Sequence, residues 1–467
     1  MTRTTGTRAG SEPLTRRAAL FGGLAGLAGG PLFAAACGVP PAGGRVAEPS
    51  TGPVTVRAFI GGIDAATMER WEGEIAAPYR QQRPNVTLEL NAQSTVAPSG
   101  ATAEVMEKLT ALIAGGDPPD ISDLPRTAAQ LVSLGFLDDQ TDGLVKRDKY
   151  DTKQFNQREF ERRAVYQGKV WQIPFKYLSN ALVAACNRAL FEAEGVPLPS
   201  TDPSRLPGSW EWNAFVDTLN RLTKRPGGTT TQFGLANWGS VTYTWPLLWQ
   251  ADWLSADGKT VTCDSTDMQD CYTKWTELLH RHRVIPRPGE AQELFGTGTV
   301  SRLFFTGKAA MVVVSPGTWG TYITRGELPD IALAPMPKAK ISTPDIASSA
   351  LGIVRGSKKQ ADAWEAIKYL AEGSRLALFS RYVPAILKDI EPWARQDLQK
   401  YPQADARVVL KALETHVPNS TLSGHRRQDD ILRVTGPALD DLLAGKEAAV
   451  PLLKRLKPEL QAIVDRP

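Results

Sequence analysis

Residues 54–91 read VTVRAFIGGIDAATMERWEGEIAAPYRQQRPNVTLELN, and this stretch decides the fold class. VTVRAF (54–59) has the length and β-branched content of a buried strand. Gly61-Gly62 interrupts it, and Met68, Trp71, Ile75 and Tyr79 then recur at helical spacing. VTLELN (86–91) is a second strand. Working outward, Met106, Leu109 and Ile113 share one face of a second helix, which Gly115-Gly116-Asp117-Pro118-Pro119 stops. Ile121–Leu124 then forms a short third strand. This β-α-β-α-β order predicts an α/β fold with a mainly parallel, helix-covered sheet and ligand chemistry at the strands' C-terminal ends. Asp64 follows the first strand, and Asp120, Ser122 and Asp123 surround the third, so all four are expected on that rim. The same residues also read as turn and helix-cap chemistry, and the pattern alone leaves both readings open.

Length and composition set the outer bounds. The 467 residues suffice for two to three domains, and 42% hydrophobic with 22% charged residues is ordinary for a soluble globular chain. Of its 54 basic and 50 acidic residues, Arg3, Arg8, Arg16, Arg17 and Glu12 precede Cys37, which leaves 50 against 49 from Cys37 onward. A near-neutral mature chain removes the electrostatic argument for nucleic acid. Four histidines and four cysteines are too few for a His-rich metal carrier or a disulfide scaffold.

Residues 1–36 read as an export signal rather than a fold element. Thr15-Arg16-Arg17 with Leu20 resembles the twin-arginine signal of bacteria, and an apolar Gly/Ala-rich stretch follows. Ala34-Ala35-Ala36 precedes Cys37-Gly38 in the manner of bacterial lipoproteins, so Cys37 is the expected lipidated N-terminus; ordinary cleavage without lipid is the alternative. Residues 37–53 are Gly/Pro-rich and read as a flexible tether. The mature chain is expected outside the cytoplasmic membrane, held by that anchor.

Nine of the twelve tryptophans lie between Trp171 and Trp319. Trp275 shares a helix with Leu278 and Leu279 and reads as core. Trp238, Trp245, Trp249 and Trp253 fall in NWGSVTYTWPLLWQADW (237–253), where Gly and Pro break regular structure. Tryptophan in such a segment either lines a cleft, its face covering an apolar surface while its N–H donates, or packs inward. Nothing in the sequence assembles a catalytic site or a cofactor motif. FFTGKAAM (304–311) fails as a P-loop because Arg302 replaces its first glycine and Ala309 its Ser/Thr. His280 and His282 are two apart on a helical pattern and point in different directions. Only a glycosidase, which needs just two placed carboxylates, survives as an enzymatic alternative.

Across roughly residues 54–465 an ordered series of patches carries a family resemblance. These are RPNVTLEL (83–90), GGDPPDISDL (115–124), KVWQIPFKYLSNALVAACNRALFEAEGVPLP (169–199), SWEWNAFVDTLNRL (209–222), LFFTGKAAMVVVSPGTWGTY (303–322), SSALGIVRGSKKQADAWEAIKYL (348–370) and GKEAAVPLLKRLKPELQAIV (445–464). The chain resembles the extracellular solute-binding proteins of bacterial ABC importers, in the sugar-binding group that includes maltose-binding protein. The resemblance implies a two-lobed periplasmic-binding-protein-like fold with a hinge and an interlobe ligand cleft. One lobe takes residues 45–178 plus 346–375 and the other 179–345 plus 376–467. It implies no enzymatic activity and no cofactor or metal, and a monomer that hands a small solute to permease transmembrane subunits.

Carried over by position, Asp120 and Ser122 match first-lobe contacts and Tyr177 to Asn180 the first crossover. Trp319 matches a stacking tryptophan, and Ser349, Gly352 and Tyr382 fall in the later crossovers. With Asp64, Trp238 and Trp245 these form the expected ligand set. A sugar is the favoured cargo, since pyranose rings offer C–H faces to aromatics and hydroxyls to carboxylates and amides. PNSTLSGHRR (418–427) carries His425 and Arg426 where sugar binders commonly have an aromatic residue, which leaves a smaller or acidic sugar, a peptide or a polyamine open. Cys263 and Cys271 bracket CDSTDMQDC, and in an oxidising compartment a disulfide is expected there, with Cys186 left as a buried thiol.

Overall fold

Apolar strands that alternate with amphipathic helices bury their hydrophobic faces by layering, and here they do so twice. The computed structural model describes residues 47–61, 63, 65–92, 101–124, 126–177, 184–199, 210–238, 242, 244–313, 330–341, 345–380, 382–399, 417–418 and 420–466. All of them lie in the unit Val46–Pro467.

The first sheet has six strands in the order β13-β6-β12-β3-β1-β2. These are β1 (Val54–Ile60), β2 (Val86–Ala92), β3 (Ile121–Leu124), β6 (Gln172–Tyr177), β12 (Ser348–Ile353) and β13 (Val383–Pro384). A small hairpin, β4 (Val165–Tyr166) with β5 (Lys169–Val170), leads into β6. β1 pairs in parallel with β2 and β3, as the quoted stretch predicts. β12 and β13 return to this sheet late in the chain and run antiparallel to their neighbours, so the sheet is mixed. One face buries Val56, Ala58, Ile121, Ile173, Phe175 and Leu351 against Trp364, Ile367 and Leu370. Those last three lie on the helix Gln360–Ala371 at the spacing that makes one face. The other face covers Phe59 with Leu109, Leu131, Phe136 and Trp171.

The second sheet has the order β10-β7-β9-β8, comprising β7 (Ala184–Asn187), β8 (Phe233–Trp238), β9 (Ala309–Val313) and β10 (Ile331–Ala334). β7 runs against both of its neighbours. Its larger core contains Trp212, Phe215, Trp245, Trp275 and Met311, sealed by Leu452, Leu456 and Leu460 of the helix Ala449–Val464. A two-stranded ladder, β11 (Asp345–Ile346) with β14 (Val417–Pro418), sits where the chain returns to the first sheet.

Three expectations are corrected by the packing. Leu376, Phe379, Ala385 and Ile386 belong to the first core, and β13 pairs with β6, so the segment to Ile386 stays with the first lobe although the resemblance changes lobes at 375. The expected tether is already fastened before residue 53: Ser50 N–H and Oγ donate to Asp362, and Asn85 Nδ2 donates to the carbonyls of Ser50 and Gly52. Cys263 and Cys271 are free, buried thiols rather than a bridge. Cys263 Sγ donates instead to the Leu453 carbonyl at 3.4 Å, while Cys271 faces the core from the helix Thr266–Thr276.

Candidate functional site

Because β1, β2, β3 and β6 run the same way, their C-terminal ends share one edge of the first sheet with the starts of β12 and β13. Register makes this concrete: Tyr177 pairs with both Ser348 and Val383, and Lys176 pairs with Ser349. In the second sheet, Ala184 at the start of β7 pairs with Ala334 and Val313, and Val313 pairs with Trp238. In sequence only six residues separate Tyr177, at the end of β6, from Ala184, at the start of β7.

At the first edge the apolar core gives way to a buried polar cluster. Asp123 Oδ2 lies 3.4 Å from Lys176 Nζ, and Ser349 Oγ donates to Asp123 Oδ1. Asp123, Lys176 and Ser349 are all buried. Lys176 Nζ also sits over the Tyr382 ring, 4.4 Å from its centroid, in cation–π contact. One layer beneath, the helix Gln157–Ala164 starts on its Asn156 cap, whose Oδ1 accepts from Glu159 N–H. That start positions Glu159, whose Oε1 accepts from Ser348 N–H and Oγ, each at 2.7 Å, while both its oxygens take Arg162.

The lobes are also joined directly. Thr127 caps the helix Ala128–Ser133, and Gln130 closes a capping box with it. From this helix start Arg126 reaches Asp429 at 2.6 Å, and Gln130 Nε2 donates to the His425 carbonyl at 3.0 Å and to Gln428 Oε1 at 2.7 Å. The receiving loop is pinned to the second lobe by Asp252, which accepts from Ser420 Oγ and Thr421 N–H. Burial holds the Asp252 carboxyl above its ordinary range.

The expected ligand residues separate into groups. Tyr177, Ser349 and Tyr382 lie on the first edge, Tyr177 buried against the smaller core of the second lobe and Tyr382 half-buried. Asp120 lies at the other end of β3, where it binds the fold together: it accepts from Arg57 N–H, Ser357 Oγ and Lys359 Nζ. A residue that begins a strand faces away from the strand's C-terminal rim, which the acidic-turn pattern does not reveal. Ser122 points its hydroxyl at the Phe59 carbonyl within the sheet. Gly352 is a packing residue, since a Cβ there would meet the Leu137 side chain at 2.5 Å.

Trp245 is fully buried, against the rings of Trp212, Trp249 and Trp275, and lines no cleft. Trp238 ends β8 at the second edge by its backbone, and its side chain lies outside the described residues, as do Asp64, Asn180, Trp319 and Cys37. Sequence reasoning passed over Lys176, Arg126, Glu159 and Arg163. Lys176 stood next to a chosen residue, but a bulge in β6 at Ser349/Ala350 decides its face. Among the described residues no group of acidic, His and Cys side chains is arranged to hold a metal, and His280 and His282 turn to Leu443 and Asn220 respectively.

The family model for bacterial extracellular solute-binding protein matches residues 64–372. The chain belongs to that family. As an extracellular solute-binding protein it is an exported one, and no described helix is long and apolar enough to cross a membrane. Its architecture is similar to the ABC substrate-binding protein Lmo0181 of Listeria monocytogenes, solved with cycloalternan: TM-score 0.72, 19% identity, covering 88% of this chain and 98% of that one. UgpB of Mycobacterium tuberculosis, in complex with glycerophosphocholine, aligns at TM-score 0.70 and 18% identity over 89% and 99%. Maltose-bound MalE3 of T. maritima aligns at 0.66 and 17% over 88% and 99%. No curated protein sequence matches the chain. These likenesses establish the two-lobed fold of this solute-binding protein.

Proposed function

We propose that this protein captures a sugar or oligosaccharide between its lobes and delivers it to the transmembrane subunits of an ABC importer. The observation that carries this reading is the buried Asp123–Lys176–Ser349 cluster with the Tyr382 ring, at the edge where the first lobe meets the crossover. Carboxylate, ammonium and hydroxyl groups beside an aromatic face suit a pyranose, whose hydroxyls need partners and whose C–H face needs a flat apolar surface. The cycloalternan and maltose complexes of the Listeria and T. maritima proteins favour the same class. Contacts from both lobes stabilise the joined arrangement over the separated one, and the Arg126–Asp429 pair contributes to it.

The proposed ligand set also includes Trp319, as the stacking residue of the second lobe, together with Asp64, Asn180 and Trp238. Cys37, after removal of residues 1–36, is proposed as the lipid anchor that keeps the binder near its permease. Mass spectrometry of membrane-fraction protein tests the anchor: a diacylated N-terminal Cys37 is expected.

A thermal-shift screen of sugars and other small solutes tests the function. A true solute at about 100 times its dissociation constant adds about 2.7 kcal/mol to stability. The expected result is a melting temperature raised by one group of carbohydrates and no turnover of aryl-glycosides. Stabilisation by peptides or polyamines alone would refute a sugar cargo.

A further inference from the structure

Arg163 occupies an unusual position for its chemistry. It lies on the helix Gln157–Ala164 and is only 4% exposed, yet its Nε has no hydrogen-bond partner and no described carboxylate comes within ion-pair distance. The helix packs against β6 and β12, which carry Lys176 and Ser349, and against the helix Ala128–Ser133, which Arg126 precedes, so Arg163 is buried among the elements that form the polar edge of the first lobe.

Each neighbouring carboxylate is already engaged. Glu159 is held by Arg162 and Ser348, and Asp123 by Lys176 and Ser349. Arg126 is itself buried, uses Nη2 for Asp429 of the other lobe, and leaves Nε without a partner. Of the three buried cations, Lys176 thus pairs with Asp123 and Arg126 with Asp429 of the other lobe, while Arg163 has no described carboxylate of its own. The great majority of buried polar groups are hydrogen-bonded, and an uncompensated buried charge costs several kcal/mol. A guanidinium is a poor choice for mere packing, because an apolar side chain of similar volume would fill the space without that cost. Its planar fork of donors suits an oxyanion that arrives from outside.

We propose that the first-lobe edge contains an anion subsite, in which Arg163 and Arg126 with Lys176 beside them receive a carboxylate or phosphate carried by the solute. The cargo is then an acidic sugar, a uronate or a sugar phosphate. This rests on the carbohydrate reading above. Burial lowers the Arg163 proton affinity to about 10, which still leaves it cationic at neutral pH.

Thermal unfolding and isothermal titration of the full chain test this, at matched ionic strength. The probes are glucose and galactose, their uronates, and their 6-phosphates. The acidic probes are expected to raise the wild-type melting temperature more than their neutral parents do. Arg163→Met should raise the ligand-free melting temperature, since it removes an unpaired buried charge, and should weaken the acidic probe at least tenfold. A response to uronates alone assigns a carboxylate, and one to phosphates alone assigns a phosphate. Equal responses to neutral and acidic sugars overturn the subsite while the carbohydrate reading stands. No response to any probe overturns both. Arg163→Met that melts lower and keeps its affinity for the acidic probe shows a structural arginine and overturns the proposal. Should that variant not fold, Arg126→Gln decides: a tenfold loss for the acidic probe supports the subsite, and unchanged affinity overturns it.

Discussion

The two lobes bury opposite chemistries. The second lobe gathers Trp212, Trp245, Trp249 and Trp275 into one core, with centroid distances of 4.3 to 6.0 Å. The first lobe buries Asp123, Lys176, Ser349, Glu159 and Arg163 at its edge. Both groups are buried; in the polar one Asp123, Lys176, Ser349 and Glu159 offset their desolvation with ion pairs and hydrogen bonds, whereas Arg163 Nε has no partner. The difference teaches that a concentration of aromatic residues along a chain marks where a core needs filling. The buried polar cluster sits instead where strand ends bring charged and hydroxyl side chains together, and it is there that the proposed site lies.

Substitutions can break or sharpen this contrast. The largest effect is expected from Trp245→Ala, which opens a cavity among three tryptophan rings and costs about 3–5 kcal/mol. Urea unfolding measures it, and a loss below about 1 kcal/mol would mean that Trp245 is not core after all. Asp120→Ala comes next at about 3 kcal/mol, because it leaves the Arg57 N–H, the Ser357 hydroxyl and the Lys359 ammonium without their shared acceptor. Its solute affinity should match the wild type, since Asp120 lies at the far end of β3; a large affinity loss would return it to the site.

Lys176→Met should leave the tryptophan core intact and weaken binding of the best-responding sugar by about 2 kcal/mol, roughly thirtyfold. Titration calorimetry reads this directly, and unchanged affinity would separate the polar edge from recognition. The smallest effect is expected from Asp429→Asn, which removes the pair bridging the lobes. With Asp429 largely exposed at 59%, the pair contributes about 0.2–1 kcal/mol, at most about a fivefold change in affinity, which should vanish at high salt. A salt-independent change would assign Asp429 a role other than charge.

Much of the architecture was legible from local pattern. The parallel β1, β2 and β3 followed from apolar runs separated by helical spacing, because a period of two or of 3.6 residues is a property of consecutive residues. The site was less legible. Family position brought Tyr177, Ser349 and Tyr382 together, and all three lie on the first edge, whereas Asp120 lies at the other end of β3, because its turn chemistry is the same at either end of a strand. Arg163 was hidden because an Arg pair on an amphipathic helix reads as a solvent face until the fold buries one of the two. Arg162 is 21% exposed and paired with Glu159, while Arg163 is buried and has no such pair.

By itself the sequence determined the α/β class, the order of strands and helices, and membership in a family of exported solute binders, since these rest on local periodicity and ordered motifs. Only the tertiary structure decided that β12 and β13 return antiparallel, that segment 376–386 stays with the first lobe, and that Cys263 turns to a carbonyl rather than to Cys271. It also decided which charges meet at the first-lobe edge. Residues 123, 176 and 349 are scattered along the chain, and their electrostatics exist only once strand register brings them within a few ångströms and burial excludes water; Arg126, Glu159 and Arg163 are buried by the same packing.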